Sequence, residues 1–458
     1  MRLLKRLQLA LREGKVTFST GDELDAMSKV LDEAPGIEAV YEAVLGDVAG
    51  NAKRQVGRDG LSAERIVRLG VLRKRLGLTY RRLSEATADS LSVRRFLDLR
   101  NGETLSRSAI HTNLKAVSDS TWEKLNQCLV RYAVKQGYEN GRTIRSDTTT
   151  VETNIHYPTD ASLLNDCVRV LSREMETAKE IAGKVIEYTD HRRRAKSKLY
   201  LINNLRGEDA RRAGYLELIR ITRKTIEYAE RVLSILPKIP SRDYAEMLRL
   251  NACESAIRTY IPLGKRVINQ AFRRIVQQEK VPANEKVVSI FEPHSDIIVK
   301  GLRDVVFGHK VCLTTGPSCL ILGLRVLDGN PKDSTLVPHI LADHQETFHA
   351  APERAAFDGC FASTANRNLL KQAGVQELTF SKNLSMPLDS LVSNPRIHRM
   401  LRRFRAGAEG CISFVKRVFS FRRVLDRSKE TFAAALHLGA AACNLTLLAR
   451  YDIARAAA

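Results

Sequence analysis

Five short segments rich in β-branched and apolar residues constrain the fold of this chain more than any other feature. Helical apolar spacing separates most of them, and a turn-rich connection joins the second to the third. The segments are residues 142–151, 305–314, 319–327, 354–358 and 376–380. Their order predicts an α/β fold with a mixed sheet and flanking helices. The long helical pattern over residues 161–290 is then a large insertion between the first two strands.

The first 140 residues show a helical pattern, and residues 61–99 are their most informative part. Ser62 and Thr79 are candidate N-caps, Gly77 ends the first helix, and a third short helix is expected from Ser92. Short helices joined by tight turns are typical of a helix-turn-helix, although an ordinary three-helix packing unit would show the same spacing. The exposed cations that would contact DNA in the first interpretation are Arg81, Arg82, Arg94 and Arg95.

Positive charge is in large excess. The 458 residues include 74 Lys and Arg against 52 Asp and Glu, a formal net charge of +22. Such an excess in a chain that can bury a core predicts a polyanionic partner, most simply DNA or RNA. A basic ribosome-type protein and a membrane-surface binder are the alternatives. Within residues 161–290 the run Arg192, Arg193 and Arg194 is either a phosphate-tracking surface or a solvated helix face.

Membrane and disulfide classes are disfavoured by the sequence. No stretch approaches 18 consecutive apolar residues, and residues 1–14 lack the apolar core of a secretory signal. The eight cysteines contain no CxxC pair, and the histidines contain no HExxH pattern. We therefore expect no membrane partner, no zinc site, and reduced, mostly buried thiols in a cytosolic protein.

Two acids stand at positions that favour a ligand site. Asp147 interrupts an otherwise neutral or basic strand, and Asp358 ends an apolar strand just before a glycine. Ligand sites of α/β sheets gather at strand carboxyl ends, and a buried carboxylate needs a partner. Bound Mg²⁺ is one such partner, since its ligands are hard oxygens. The alternative is that each Asp makes a local cap or turn.

A third acid, Glu409, lies in a strongly basic helical segment. At 100° per residue, Glu409 shares one helix face with three cations, which suits a phosphate-and-metal surface better than a core stripe. These cations are Arg402, Arg405 and Lys416. A salt-bridged surface helix, with Arg405 and Glu409 as an i,i+4 pair, is the alternative interpretation.

At these residues the sequence resembles bacterial insertion-sequence transposases of the DDE type, whose catalytic domain is RNase H-like. The Arg405, Glu409 and Lys416 spacing is similar to the arginine, glutamate and lysine of a signature in one branch of this family. That signature also has a tyrosine where this chain has Arg402, and the branch often has a β-rich insertion between the second and third acids, for which this chain leaves no room. The matching segments are IRSDTTTVETNI, FGHKV, DGNPKDS, AFDGCFAS and RAGAEGCISFVKR.

The resemblance implies cleavage and joining of DNA by two Mg²⁺ ions, with Mn²⁺ as the alternative ion. Asp147 would bridge both ions, and Asp358 and Glu409 would each complete one ion's ligands. Arg405 and Lys416 would hold phosphates. The partners would be the terminal inverted repeats and target DNA, bound by a homodimer or higher oligomer in the bacterial cytoplasm, at the nucleoid.

The implied organisation has four parts. A helical DNA-binding region covers residues 1–140, the RNase H-like domain covers 141–160 and 291–425, the basic insertion covers 161–290, and a C-terminal helix covers 426–458. A nuclease or resolvase of the same fold that only hydrolyses DNA is the second enzymatic interpretation. A non-catalytic helix-turn-helix protein derived from a transposase is the third.

Overall fold

The structure is a computed structural model that describes residues 19–50, 60–300, 304–381 and 386–458. It is an α/β fold with a mixed sheet and flanking helices, as the sequence predicts, and the sheet has six strands, one more than the segments predicted. The strands are β1 (Thr143–Glu152), β2 (Asp296–Lys300), β3 (Asp304–Thr315), β4 (Ile321–Val326), β5 (Arg354–Asp358) and β6 (Glu377–Ser381). Residues 1–18 and 51–59 of the predicted N-terminal region lie outside the described residues, and so does the predicted absence of a signal segment.

Seven helices among the described residues precede the sheet, and their starts follow side-chain caps at most positions. Ser62, Thr79 and Ser90 each accept a hydrogen bond from the backbone N–H three residues later, which fixes where α3, α4 and α5 begin. The third of these helices starts one residue before the predicted position, because Ser90 rather than a later serine is the cap. The seven are α1 (Ser19–Glu33), α2 (Ile37–Ala49), α3 (Ala63–Arg75), α4 (Tyr80–Asp89), α5 (Leu91–Phe96), α6 (Arg107–Ala116) and α7 (Asp119–Lys135).

The sheet has β1 in its middle. The strand order is β2–β3–β1–β5–β6, and β4 also pairs with β3. The β3–β4 and β2–β3 pairs are antiparallel, whereas β5 is parallel to both β1 and β6. The sequence patterns do not predict β2, because its place in the sheet depends on pairing with β3 and not on a local signal.

Four further helices follow β4. The first two precede β5 and β6, and the last two follow β6. They are α12 (Val337–Phe348), α13 (Thr364–Gln372), α14 (Pro395–Val418) and α15 (Lys429–Ala457). The chain divides into two compact units. The discontinuous unit consists of Met1–Glu152 and Lys310–Ala458, and the contiguous unit is Thr153–His309.

Helix α15 is the core helix of the discontinuous unit. It packs against α1, α3, α7 and β4, and it carries the buried Asn444, which bonds to Asn126 on α7 and to the backbone of Ile321 on β4. By length and composition it could also cross a membrane, with a mean hydropathy of 1.6 in its most apolar window. However, 89% of that window is buried inside the protein, as in the core helix of a water-soluble fold.

The contiguous unit holds the helices of the predicted insertion. Its four long helices enclose two apolar clusters, built around Leu218 and Ile257 among others. The helices are α8 (Asp160–Ala182), α9 (Arg192–Asn204), α10 (Glu208–Ile235) and α11 (Tyr244–Ala271). Between β1 and β2 the described chain is therefore helical, as the sequence predicts.

Candidate active site

The two candidate aspartates lie on neighbouring parallel strands. The β1–β5 register pairs Ser146 with Phe357, and one residue further along each strand are Asp147 and Asp358. Asp358 ends β5, whereas Asp147 lies in the middle of β1, which continues to Glu152. The parallel register nevertheless places the two residues at the same level of the sheet. Two acids that are 211 residues apart in sequence are thereby neighbours in the fold.

The guanidinium of Arg405 joins these aspartates to Glu409. Its Nη2 lies 2.9 Å from Oδ2 of Asp147 and 3.6 Å from Oδ2 of Asp358. Its Nη1 lies 3.5 Å from Oε1 of Glu409, the i,i+4 pair of the alternative interpretation. We call Asp147, Asp358, Glu409 and Arg405 the acid cluster. The structure thus brings together the three acids predicted from the sequence, with an arginine between them.

Burial differs sharply among the members of the acid cluster. The side chains of Arg405 and Asp147 are 11% and 15% exposed, whereas that of Glu409 is 76% exposed. Burial raises the pKa of Asp147, the Arg405 guanidinium lowers it, and the nearby carboxylates of Asp358 and Asp333 add to the increase. The Nε of Arg405 is buried and has no hydrogen-bond partner among the described residues. Because a single guanidinium lies among three carboxylates, negative charge is in excess in the acid cluster.

Asp333 is a further acid near this site that the sequence analysis does not single out. It accepts from the hydroxyl of Thr148, which follows Asp147 on β1, at 3.3 Å. Lys310 lies 2.6 Å from the same carboxylate. Asp333 belongs to the DGNPKDS segment, which carries part of the resemblance, but the sequence does not predict its position beside β1.

A second buried arginine, Arg145, fixes α14 against β1. It lies two residues before Asp147 on the same face of the strand. Its guanidinium donates to the backbone oxygen of Phe404 at 2.6 Å and to Oγ1 of Thr315 at 3.0 Å. A Cβ on Gly407 would overlap Arg145, so glycine permits this close approach. Because α14 also packs on β5 and β6, this contact positions Arg405 over the strand ends.

Arg145 also holds two thiols at this site. Its Nη2 lies 3.3 Å from Sγ of Cys319 and 3.2 Å from Sγ of Cys411. The hydrogen bond from Cys411, together with the charge of Arg145, lowers the pKa of Cys319 to about 6, while the pKa of Cys411 is raised. Both cysteines and Asp147 line a largely apolar cavity of about 300 Å³. All eight cysteines are free and five are buried, as expected from the sequence.

The remaining predicted cations of α14 are not all part of the acid cluster. Arg405 is buried toward the sheet, whereas Arg402 is exposed and Lys416 is half-buried. The shared helix face predicted from the sequence therefore spans a buried edge and an exposed edge. Arg405 contacts all three acids of the cluster.

The four arginines of the predicted helix-turn-helix differ in how much of their charge is available. Arg81 and Arg82 are well exposed and share Glu85. Arg95 pairs with Asp25, and Arg94 donates to the backbone oxygens of Thr87, Arg100 and Glu103. Arg94 therefore holds the turn after α5 in place, which is a structural task that its sequence position does not reveal.

The arginine run of the contiguous unit begins α9. Arg192 binds Asp190 and Glu176, and Arg194 binds Glu217. Arg193 is exposed and has no ion-pair partner within the described ranges. Acids on neighbouring segments therefore neutralise two of these three cations.

No group of three His, Cys, Asp or Glu side chains that could hold a metal ion is present among the described residues. In the acid cluster, the Arg405 guanidinium lies between the carboxylates and takes the place that a cation would need.

Comparison with known proteins finds no matching family model, no matching curated protein and no matching solved structure.

Proposed function

We propose that this chain is a DNA transposase of the DDE type, which binds the ends of an insertion sequence and cleaves and joins DNA strands. The observation that carries the proposal is the meeting of Asp147, Asp358 and Glu409 at one guanidinium, although 211 and 51 residues separate them in sequence. Surface carboxylates chosen at random would rarely meet at one arginine, so this meeting supports the choice of these three acids.

The sheet supports an RNase H-like domain as part of this proposal. Its first strand lies in the middle, an antiparallel hairpin lies on one side, and two parallel strands lie on the other. The first two acids lie on the adjacent parallel strands β1 and β5, and the third lies on the helix that packs across them. Helices α3, α4 and α5 would act as the helix-turn-helix of this proposal and supply specific DNA contacts.

The donor set suits the two Mg²⁺ ions that the resemblance implies, because carboxylate oxygens are the hard ligands this ion prefers. Asp147, Asp358 and Glu409 would hold the ions, which would activate the attacking oxygen and stabilise the leaving oxygen of a phosphoryl transfer. Three carboxylates share one guanidinium, so the acid cluster has excess negative charge that a divalent cation could balance. The unpartnered Nε–H of Arg405 is a donor that a phosphate oxygen could accept from. The acids do not form a ready metal site while Arg405 lies between them.

The side chains of this chain have distinct tasks in the proposed reaction. Arg405 would bind the phosphate beside the scissile bond, because a guanidinium matches two phosphate oxygens at once. Lys416 and the exposed Arg402 would add positive charge along the same DNA strand. Arg145 is a positioning residue, since it holds α14 on β1 and so sets where Arg405 and Glu409 stand.

A strand-transfer assay tests the proposal. Purified full-length protein is incubated with Mg²⁺ and a DNA fragment that carries the element's end, and joined products are separated from cleaved ones. A transposase gives both cleavage and joining, and Asp147→Asn abolishes both. Cleavage without joining would favour the nuclease or resolvase interpretation, and binding without cleavage would favour the non-catalytic interpretation. Inverted repeats that bracket the reading frame would supply the substrate.

A further inference from the structure

A strongly basic pocket lies in the discontinuous unit, outside the acid cluster. It is formed by the end of α3, the turn into α4, helix α6 and the segment that precedes α15, and its volume is about 480 Å³. That volume is within the range of roughly 300–1,000 Å³ found for ligand pockets. One carboxylate, Asp426, faces six cations, which are Arg73, Lys74, Arg107, Lys115, Arg423 and Arg427. The net charge of the lining therefore favours an anion.

Lys74 is the most informative residue of this basic pocket. It is only 5% exposed, yet no acceptor among the described residues lies within hydrogen-bonding distance of its ammonium group. Burial lowers the pKa of Lys74 to about 8, with a further decrease from Arg73 beside it and an opposing increase from the charge of Asp426. A buried ammonium normally has a partner, because removing a charge from water is costly. An anion that enters the pocket would supply such a partner.

Asp426 is not that partner, because other groups already hold it. Arg73 binds its carboxylate at 3.3 Å, and the hydroxyl of Tyr80 donates to it at 3.4 Å. The Arg73 guanidinium also stacks over the Tyr80 ring, 4.1 Å from its centroid. These three side chains form a charge-balanced wall of the basic pocket. Positive charge remains in excess on the other side, where Arg107 and Lys115 are exposed and have no ion-pair partner in the described part of the chain.

The first turn of α4 adds to this attraction. Thr79, the N-cap of α4, lines the basic pocket, so the positive end of a ten-residue helix points to the same region. A phosphate group is the anion that best fits two or more separate cations and a helix N-terminus at once. Carboxylates of similar size would leave part of this charge uncompensated.

We propose that the basic pocket binds a phosphate group, and that this group belongs to the sugar–phosphate backbone of bound DNA. The assignment to DNA rests on the proposed function, whereas the phosphate chemistry rests on Lys74 and the pocket itself. The contact would fix the orientation of α3, α4 and α5 on the duplex without reading bases. Free phosphate is the other source of the same chemistry, and the experiment separates the two.

The experiment uses Lys74→Met in the full-length protein, since methionine keeps the apolar stem and removes the charge. DNA affinity is measured by fluorescence anisotropy over a range of salt concentrations, with two unrelated DNA sequences. Loss of one phosphate contact should reduce the slope of log affinity against log salt by about 0.9. Affinity should fall equally for both sequences. Lys124→Met, at an exposed lysine of α7 outside the pocket, should leave the slope unchanged.

A second arm uses inorganic phosphate alone. At constant ionic strength, phosphate should raise the melting temperature of the wild-type protein more than that of Lys74→Met, because ligand binding stabilises the folded state. Arg107→Gln changes an exposed lining residue and keeps the test valid should Lys74→Met fold poorly. Phosphate stabilisation with an unchanged DNA slope would overturn the DNA assignment. An unchanged slope and no phosphate stabilisation would overturn the site.

The outcome is distinguishable from a failure of the proposed function. Loss of cleavage in acid-cluster variants, combined with an unchanged salt slope for Lys74→Met and Arg107→Gln, would remove the phosphate pocket and leave the transposase proposal intact. Normal cleavage by acid-cluster variants, combined with a reduced salt slope for Lys74→Met and Arg107→Gln, would remove the transposase proposal and leave the phosphate pocket intact.

Discussion

The acid cluster and the arginine run at the start of α9 are both concentrations of charge, but the structure treats them in opposite ways. In the acid cluster, distant residues meet in a partly buried place where one guanidinium serves three carboxylates. In α9, nearby acids pair with Arg192 and Arg194, two of three arginines that are adjacent in sequence. A run of charge in the sequence is therefore weaker evidence for a binding site than isolated charges that the fold brings together.

Substitution in the acid cluster should have the largest effect. Glu409→Gln keeps the size and hydrogen-bonding capacity of the side chain but removes the negative charge that a divalent ion requires. We expect strand cleavage in Mg²⁺ to fall by about 1,000-fold or more. DNA affinity should hold or rise slightly, because one repulsive charge near the phosphates is lost. Cleavage and binding are measured on the same DNA fragment.

A control is Glu254→Gln in the contiguous unit, since Glu254 also forms an i,i+4 pair with an arginine, Arg258. It should cleave as well as the wild type. If Glu409→Gln also cleaves DNA normally, Glu409 is a salt-bridge residue like Glu254, and the contrast between the two regions loses its functional meaning.

The thiols beside Arg145 should show the next largest effect. A pKa of about 6 keeps Cys319 mostly as the thiolate at pH 7, so its alkylation rate should fall as the pH drops through about 6. The other exposed cysteine, Cys360, has a raised pKa because of burial. After allowance for the lower nucleophilicity of acidic thiols, Cys319 should react roughly ten times faster than Cys360 at pH 7. Iodoacetamide labelling followed by peptide mass spectrometry measures both rates, and a Cys319 midpoint above pH 8 would contradict the arrangement around Arg145.

The packing of α14 against β1 should give an effect on stability. Gly407→Ala gains about 1 kcal/mol of helix propensity but overlaps the pinned Arg145, and overpacking costs about 1–3 kcal/mol. We expect a net loss of about 1 kcal/mol in the free energy of unfolding, measured by urea denaturation. Gly410→Ala is the control on the same helix, because its new methyl group meets nothing within 4 Å, and it should stabilise the protein slightly. Equal effects of the two changes would show that Arg145 does not hold α14 closely.

The arginines of α9 should give the smallest effect. From the sequence alone, neutralising Arg192, Arg193 and Arg194 should weaken DNA binding for all sequences and reduce its salt dependence. The ion pairs of the structure sharpen this prediction, since Arg193 then carries most of the effect. Arg193→Gln should lower the salt slope by no more than about 0.9, and Arg194→Gln should leave it nearly unchanged. A larger change for Arg194→Gln than for Arg193→Gln would mean that DNA replaces the pair with Glu217.

The sequence predicts most elements of the fold because the signals that start and stop them are local. Ser62 and Thr79 cap their helices as expected, and β5 ends at Asp358 as expected. The sequence does not predict strand β2, because its pairing with β3 is set by the tertiary fold. The three acids could be selected from the sequence, because Asp147 interrupts a neutral or basic strand, Asp358 ends an apolar one and Glu409 lies on a basic helix face. Arg145, Asp333 and Lys74 could not, since their importance comes from contacts between residues far apart in sequence.

The position of α15 at the centre of the discontinuous unit has a consequence for the order of folding during synthesis. Helices α1, α3 and α7 are made before the contiguous unit, but α15, the helix that covers their apolar faces, is made after it. The contiguous unit is an uninterrupted stretch of chain, so it can complete its core while the ribosome is still translating. Helices α1, α3 and α7 must wait until residues 429–457 have been made, so their apolar faces stay uncovered for longer and depend more on protection from aggregation.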